Sequence, residues 1–512
     1  METLSNFCLT IGIIILIIKI CRKSVSLNFK LTEKEKNMNL RKMFILPLSL
    51  LVLGGALVSC GGGGNTTSGD ELRICVYDGG YGTEWLDQMA ADYTAKTGIT
   101  VVTDVDSTIL DRIEDQLENV SDYDIYMSHD INWQNFAARG LLANLDDLYT
   151  RNVEGYENTT FLDRVIDGAV EYSKTAGEDG TEHFYKVCYT QGAGGFIYNM
   201  DMFEENGWTV PTTYDELVAL CNTINDAQIL IEGTRNTVKP IAWSGADRQY
   251  YWDYIVFEWW AQLAGETKIE TFKQFSSPEV YNPDGNYKEF IEAYEMWYDL
   301  IALTPANSTA DSYSQKLISA QSQFANGEVA MIPYAQWAKK EIKNAIGKDL
   351  DFDIAMMQTP KAVAGAQDYN YLVGFGDSMI VPENTPNQEL AKDFLAYMAT
   401  EEACRTFVEK AEGAFLAFDY SDVDLSAIEA NDTYIKSVHE KLTNSKGFHL
   451  ASKNDIAVWN VNVFMPWIEN KYFYQSACSE PTANTPAIVG ADIYNRAQQG
   501  WSVWARNAGI TY

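Results

Sequence analysis

Cationic side chains are scarce in this chain of 512 residues: 38 Lys and Arg stand against 71 Asp and Glu, a formal charge of -33. Nucleic-acid backbones and anionic lipid surfaces are held by neutralising cations, so this balance argues against sequence-independent binding to either. Paired cysteines are missing too. Five cysteines lie beyond residue 60, at 75, 188, 221, 404 and 478, an odd number with no CxxC pair and no histidine close by. Their spacing argues against a disulfide framework or a zinc site, and they read as small buried apolar residues. GxSxG, HExxH, a phosphate-binding GxxxxGK loop and a complete GxGxxG are all absent, and Asp104-Val105-Asp106 lacks the glycine of a calcium loop. Neither cofactor nor metal is expected. What is abundant is apolar and aromatic: 46% hydrophobic residues, with 30 Tyr, 22 Phe and 13 Trp, enough area to offset the ordering entropy of a folded body. At ~100 to 200 residues per domain, the length accommodates two or three domains.

The first 59 residues invert the charge balance, with 8 Lys and Arg against 3 Asp and Glu, leaving 30 cations against 68 carboxylates for the rest. Residues 39–42 are basic, residues 43–58 form an apolar run short for a membrane span, and Leu57-Val58-Ser59-Cys60 ends it. This ending resembles a bacterial lipobox, in which cleavage precedes the cysteine and its thiol is acylated. Residues 38–59 therefore read as a lipoprotein signal peptide and Cys60 as the lipidation site. A second apolar stretch lies upstream at residues 8–20, and tandem export signals are redundant, so residues 1–37 read as an over-called start. Residues 60–69 are glycine-rich and unpatterned, a flexible tether spanning roughly 17 Å.

From residue 72 strands and helices alternate. Residues 72–77 read as a strand, 78–82 as the loop at its carboxyl end, and Thr83 as the cap of a helix that aligns Trp85, Leu86, Met89 and Tyr93 and stops at Gly98. A strand at 100–105, a helix at 110–117 and a strand at 123–127 follow. Such alternation implies a parallel sheet covered by helices, with ligands meeting the carboxyl ends of strands, here the loops 78–81 and 128–130.

Five blocks in order behind the lipobox carry a resemblance: YDIYMSHD at 123–130 with FAARGLL at 136–142, FIYNMDMFEENGW at 196–208, PTTYDEL at 211–217, FANGEVAMI at 324–332 before Trp337, and GFGDSMIVPENTPNQELAKDFLAYM at 374–398. Together they resemble family 1 extracellular solute-binding proteins, the carbohydrate-binding lipoproteins of ATP-driven (ABC) importers, similar in layout to maltose-binding proteins. The resemblance runs from Leu72 to about Phe418. It implies an α/β, two-lobed periplasmic-binding-protein-like fold of type II, two doubly wound sheets joined by a hinge. Crossings would fall near 188–192 and 371–375, with a return near Phe418, giving lobe one as 70–190 plus 372–418 and lobe two as 191–371 plus 419–512. The implied partners are a carbohydrate and the permease subunits of an importer, for a monomer lipid-anchored on the extracytoplasmic face.

A sugar ring has apolar C–H faces and a rim of hydroxyls, so its site needs flat aromatic platforms and groups that accept and donate around the rim. Asp130 matches the family's carboxylate after the third strand and is the first candidate to accept sugar hydroxyls; the alternative is an N-cap for a helix over 132–139. His129 beside it reads as a hydrogen-bonded structural residue. Trp337 stands where the family places a stacking aromatic. Trp243 and Tyr251 are candidate platforms of lobe two, and Trp252, Phe257, Trp259 and Trp260 fit one core face. Tyr81 in the first loop, Gln191 at the first crossing, and Phe375 with Asp377 at the second complete the set, with Trp459 and Trp467 as late contributors that read more simply as core. A glycosidase-like enzyme and a surface adhesion lipoprotein are the rival classes, since two suitably spaced carboxyls suffice for the former.

Overall fold

The computed structural model describes residues 71–246, 251–274, 276–372, 377–450 and 485–507. The signal region, the tether with Cys60, Phe375, Trp459 and Trp467 lie outside them.

The strand Glu71–Val76 buries Leu72, Ile74 and Val76 against Trp85, Leu86, Met89 and Tyr93 of the helix Glu84–Thr97, while Cys75 on the opposite face packs with Ile113, Leu117 and Tyr126. Successive side chains of a strand face opposite sides, so a sheet covered on both faces needs apolar residues at both parities. The helix ends as expected, with Gly98 in the left-handed region at φ 79, but Thr83 makes no side-chain cap bond. Residues 109–118 form a 3-10 turn, Ile109–Asp111, and a short helix, Ile113–Glu118, rather than one helix.

Five strands form the first sheet, in the order Thr100–Val105, Glu71–Val76, Ile125–Ser128, Ser378–Ile380 and Val187–Cys188. The first three are parallel, and the last two join antiparallel, so the sheet is mixed rather than purely parallel. A second, four-stranded sheet runs Ile354–Met356, Gly194–Asn199, Val329–Ala335 and Lys239–Ile241. Its strand Val329–Ala335 is buried along its whole length. A small third sheet pairs Tyr369–Tyr371 with Lys446–Phe448 in parallel.

The helix Trp252–Ala264 is apolar on nearly every side and sits inside the second core, with Trp252, Trp259 and Trp260 almost fully buried. Trp259 Nε1 donates to the Pro360 carbonyl at 2.8 Å, which satisfies the one polar atom that its burial strands. Glu258 of the same helix meets Lys441 Nζ at 2.8 Å with both side chains fully buried. Thr359 Oγ1 and the Tyr371 N–H donate to the same carboxylate. One ion pair thus ties three segments that are distant in sequence.

Candidate functional site

The parallel strands Glu71–Val76 and Ile125–Ser128 bring their carboxyl ends to one edge of the first sheet. The antiparallel Ser378–Ile380 begins at that edge, with Ser378 in register with Ser128 and Cys188. Loops leaving this edge line a cavity of about 870 Å³, whose other walls come from Tyr189, Tyr251, Tyr254, Leu317, Gln321, Trp337, Glu341 and Asn344. Strand-end loops of an α/β sheet are where ligands are expected, and the volume suits a small organic ligand.

At the floor, the Tyr81 hydroxyl donates to Asp377 Oδ2 at 3.1 Å, Thr190 Oγ1 lies 3.2 Å from the same oxygen, and the two hydroxyls stand 2.9 Å apart. Burial raises the Asp377 carboxyl from its ordinary value to about 6, against the pull of the Tyr81 and Thr190 hydrogen bonds and of His129. Tyr81 also meets Trp337 edge to face, ring centroids 5.6 Å apart. The loop reaches the indole because residue 80 is glycine: a Cβ there would fall 2.8 Å from Trp337 Cδ1 and 2.9 Å from Cγ.

Trp337 follows the buried strand Val329–Ala335 and opens the helix Ala338–Ile346 as its N-cap residue. Half-buried, it donates Nε1–H to Tyr251 Oη at 3.1 Å, and Tyr251 donates to Glu341 Oε2 at 3.1 Å. Tyr334, from the strand beneath, donates to the same Glu341 oxygen at 2.7 Å. Burial raises the Glu341 carboxyl, and these hydrogen bonds oppose that rise. Tyr251 occupies the left-handed region at φ 46, immediately before the helix Trp252–Ala264.

Asp130 sits at the mouth, its side chain 86% exposed, with Oδ2 3.2 Å from His129 Nδ1. Each group favours the other's charged form: the carboxyl is lowered and the imidazole raised. His129 also packs edge to face against Tyr77, centroids 4.4 Å apart. The short helix Trp133–Ala138 takes Asn132 as its N-cap residue without any side-chain cap bond, so capping is not the role of Asp130. Its backbone is left-handed, φ 52, a conformation that short polar side chains tolerate better than most.

Of the residues singled out in the sequence, the cavity therefore gathers Tyr81, Asp130, Tyr251, Trp337 and Asp377. Two are elsewhere. Gln191 turns away and donates Nε2–H to the carbonyls of Leu416 and Phe418 at 3.0 and 3.3 Å, fastening chain segments rather than facing the cavity. Trp243, two residues beyond the strand Lys239–Ile241, is 1% exposed in the second core with Ile241 and beside Trp297. Only Ala242, between them, joins the core that holds Tyr251 and Tyr334. Sequence reasoning missed Tyr189, Tyr254, Gln321 and Glu341. Helical spacing offered a signal for Glu341, four residues beyond Trp337 and hence one turn away on the same face. Among the described residues, no group of three or more His, Cys, Asp and Glu is arranged to hold a metal ion.

Residues 88–416 match the family model for bacterial extracellular solute-binding proteins. The chain is 22% identical over 361 residues to the diacetylchitobiose binding protein NgcE of Streptomyces coelicolor, across 66% of this chain and 67% of that protein. It is 26% identical over 227 residues to the multiple sugar-binding protein of Streptococcus mutans, across 44% of this chain and about half, 49%, of that relative's length. Both relatives bear the names of binding proteins rather than enzymes. The apo form of RafE from Streptococcus pneumoniae has the same fold, with a TM-score of 0.59 at 18% identity over 85% of this chain and 100% of that one. The architecture is accordingly the two-lobed, type II periplasmic-binding-protein-like α/β fold. With the family model spanning well over half of its length, this chain belongs to the bacterial extracellular solute-binding proteins.

Proposed function

We propose that the protein captures a carbohydrate of oligosaccharide size in the 870 Å³ cavity and delivers it, without turnover, to the permease of an ABC importer. The observation that carries this reading is the pairing of groups that line the cavity: aromatic rings from Trp337, Tyr251 and Tyr81 suit the C–H faces of sugar rings, and Asp130 and Asp377 suit their hydroxyl rims. The sugar-binding names of the curated relatives support it.

Capture by closure requires two bodies, assigned here as 70–190 plus 372–418 and 191–371 plus 419–512. Sheet membership supports this division, since Val187–Cys188 belongs to the first sheet and Gly194–Asn199 to the second. The bridges Thr190 to Leu416 and Val165 to Phe418 pair residues up to 418 with the first body, which supports a return of the chain near Phe418. A ligand that contacts both bodies stabilises the closed arrangement by its differential affinity for it.

Attachment through an acylated Cys60 would hold the monomer near the permease on the extracytoplasmic face. The Cys60→Ser protein is expected to fold and to leave the membrane fraction, and retention after a high-salt wash would assign anchoring to residues 8–20 instead. The function itself is tested by a thermal-shift screen against mono- and oligosaccharides, with turnover assayed in the same wells. Ligand that binds only the native state raises the melting temperature without product. Product formation would move the protein to the enzyme class, and silence across the screen to the adhesion class.

A further inference from the structure

We infer that Glu341 is a positioning residue that locks the two aromatic platforms, Trp337 and Tyr251, into one unit. This rests on the carbohydrate reading above for its functional meaning and on geometry alone for its existence. The platforms come from segments 86 residues apart, and the Trp337 N–H to Tyr251 Oη bond of 3.1 Å joins them directly. That bond leaves the Tyr251 hydroxyl hydrogen free to point only at its other neighbour, Glu341 Oε2, 3.1 Å away. Tyr334, fully buried in the strand beneath, donates to the same oxygen at 2.7 Å, and its own oxygen accepts from Gln321 Nε2 at 2.5 Å.

The polarity of this chain is fixed by its ends. An indole N–H and a carboxamide N–H only donate, and a carboxylate only accepts. Hydrogens therefore run from Trp337 through Tyr251, and from Gln321 through Tyr334, to converge on Glu341. A hydroxyl that has committed its hydrogen to the carboxylate and one lone pair to the indole keeps a single lone pair for the cavity. Tyr251 thus offers a ring face and an acceptor to ligand, and no donor. Holding both rings in place before ligand arrives also lowers the ordering cost of binding.

The test has one arm without ligand and one with it. In 15N-tryptophan-labelled protein, the indole N–H signal of Trp337 is assigned by its loss in Trp337→Phe. That signal is expected to shift in Tyr251→Phe and in Glu341→Leu, and to return toward its parental position in Glu341→Gln, whose amide oxygen still accepts. A signal unmoved by Tyr251→Phe or by Glu341→Leu overturns the inference. Should Glu341→Leu fail to fold, Tyr251→Phe and Glu341→Met decide the same question, and a signal unmoved by either overturns the inference.

In the second arm, affinities for raffinose and N,N′-diacetylchitobiose are measured by calorimetry on the same variants. Tyr251→Phe and Glu341→Leu are each expected to weaken a binding probe about tenfold, and the double variant no further, because both cut one chain. Additive losses, near a hundredfold, would mean that Glu341 acts on the sugar or on the fold independently of Tyr251, and would overturn the inference. If no sugar of the thermal-shift screen binds, or if Trp337→Ala binds as the parent does, the carbohydrate reading fails while the indole signal still decides whether Glu341 locks the rings.

Discussion

Glu258, fully buried, and Asp377, half-buried at the cavity, are both carboxylates held by donors of the protein, and they differ in what answers them. Glu258, inside an apolar helix, meets an equally buried Lys441 ammonium, the Thr359 hydroxyl and the Tyr371 N–H. Its accepting capacity is taken up by the protein, and the reward is a joint between three segments. Asp377, at the cavity floor, accepts from the Tyr81 and Thr190 hydroxyls through one oxygen and borders open space. The first arrangement stores stability. The second stores unspent hydrogen-bonding capacity where a ligand arrives.

The sharpest way to break this contrast is at the joint. Lys441→Met is expected to destabilise the fold by about 3 to 5 kcal/mol in chemical denaturation, because it strands a buried carboxylate. Adding Glu258→Leu is expected to recover part of that loss, since an apolar pair avoids desolvating a charge while the Thr359 hydroxyl and the Tyr371 N–H lose their acceptor. A single variant as stable as the parent would remove the distinction.

A second comparison sets a cavity tryptophan against a core one. Trp259→Ala is expected to cost about 3 to 5 kcal/mol of stability as a large-to-small core change. Trp337→Ala, at a half-buried position, is expected to cost less stability and to weaken every sugar that fits by about 2 kcal/mol. Equal stability losses in the two variants would return Trp337 to the core.

Asp130 is best probed by asparagine, which accepts the left-handed backbone at φ 52 more readily than alanine does. Asp130→Asn is expected to weaken binding by about 1.5 to 3 kcal/mol, selectively for sugars that place a hydroxyl donor at that carboxylate. Calorimetry with epimeric sugars measures the selectivity, and a uniform loss would contradict hydroxyl recognition.

The remaining effect is a pH slope. The Asp377 carboxyl stands at about 6 in the folded chain against 3.8 ordinarily, so the folded state holds its proton more tightly than the unfolded state does. Its contribution to stability is therefore greatest below the ordinary value and declines as pH rises toward about 6. Melting profiles of the parent and of Asp377→Asn between those limits are expected to converge at the acid end and diverge at the neutral end, with the parent falling. Parallel profiles would refute the shift.

Local signals served well where a strand end or helix start fixes the geometry. Asp130 and Tyr81 follow parallel strands whose ends must share an edge, and Trp337 leaves a fully buried strand at the other wall. Trp243 shows where such signals fail. It is an aromatic residue of the same stretch as Tyr251, but just beyond the strand Lys239–Ile241 it packs with Ile241 into the second core, a placement settled by contacts far along the chain. Gln191 is a similar case: its carbonyl partners are Leu416 and Phe418, more than two hundred positions away, and no local pattern announces them.

The close approach of Gly80 to Trp337 makes the two positions a trading pair. A methyl group at 80 meets the indole within van der Waals distance, so any drift from glycine levers the ring or the loop aside. Mutational paths through this site are thereby ordered: the ring at 337 must be lost first, because any aromatic there keeps atoms at the Cβ, Cγ and Cδ positions, and only then is a side chain at 80 tolerated. The aperture between loop and ring is set by that sequence of events, and a library varying positions 80 and 337 together would explore ligand shapes that neither single substitution reaches.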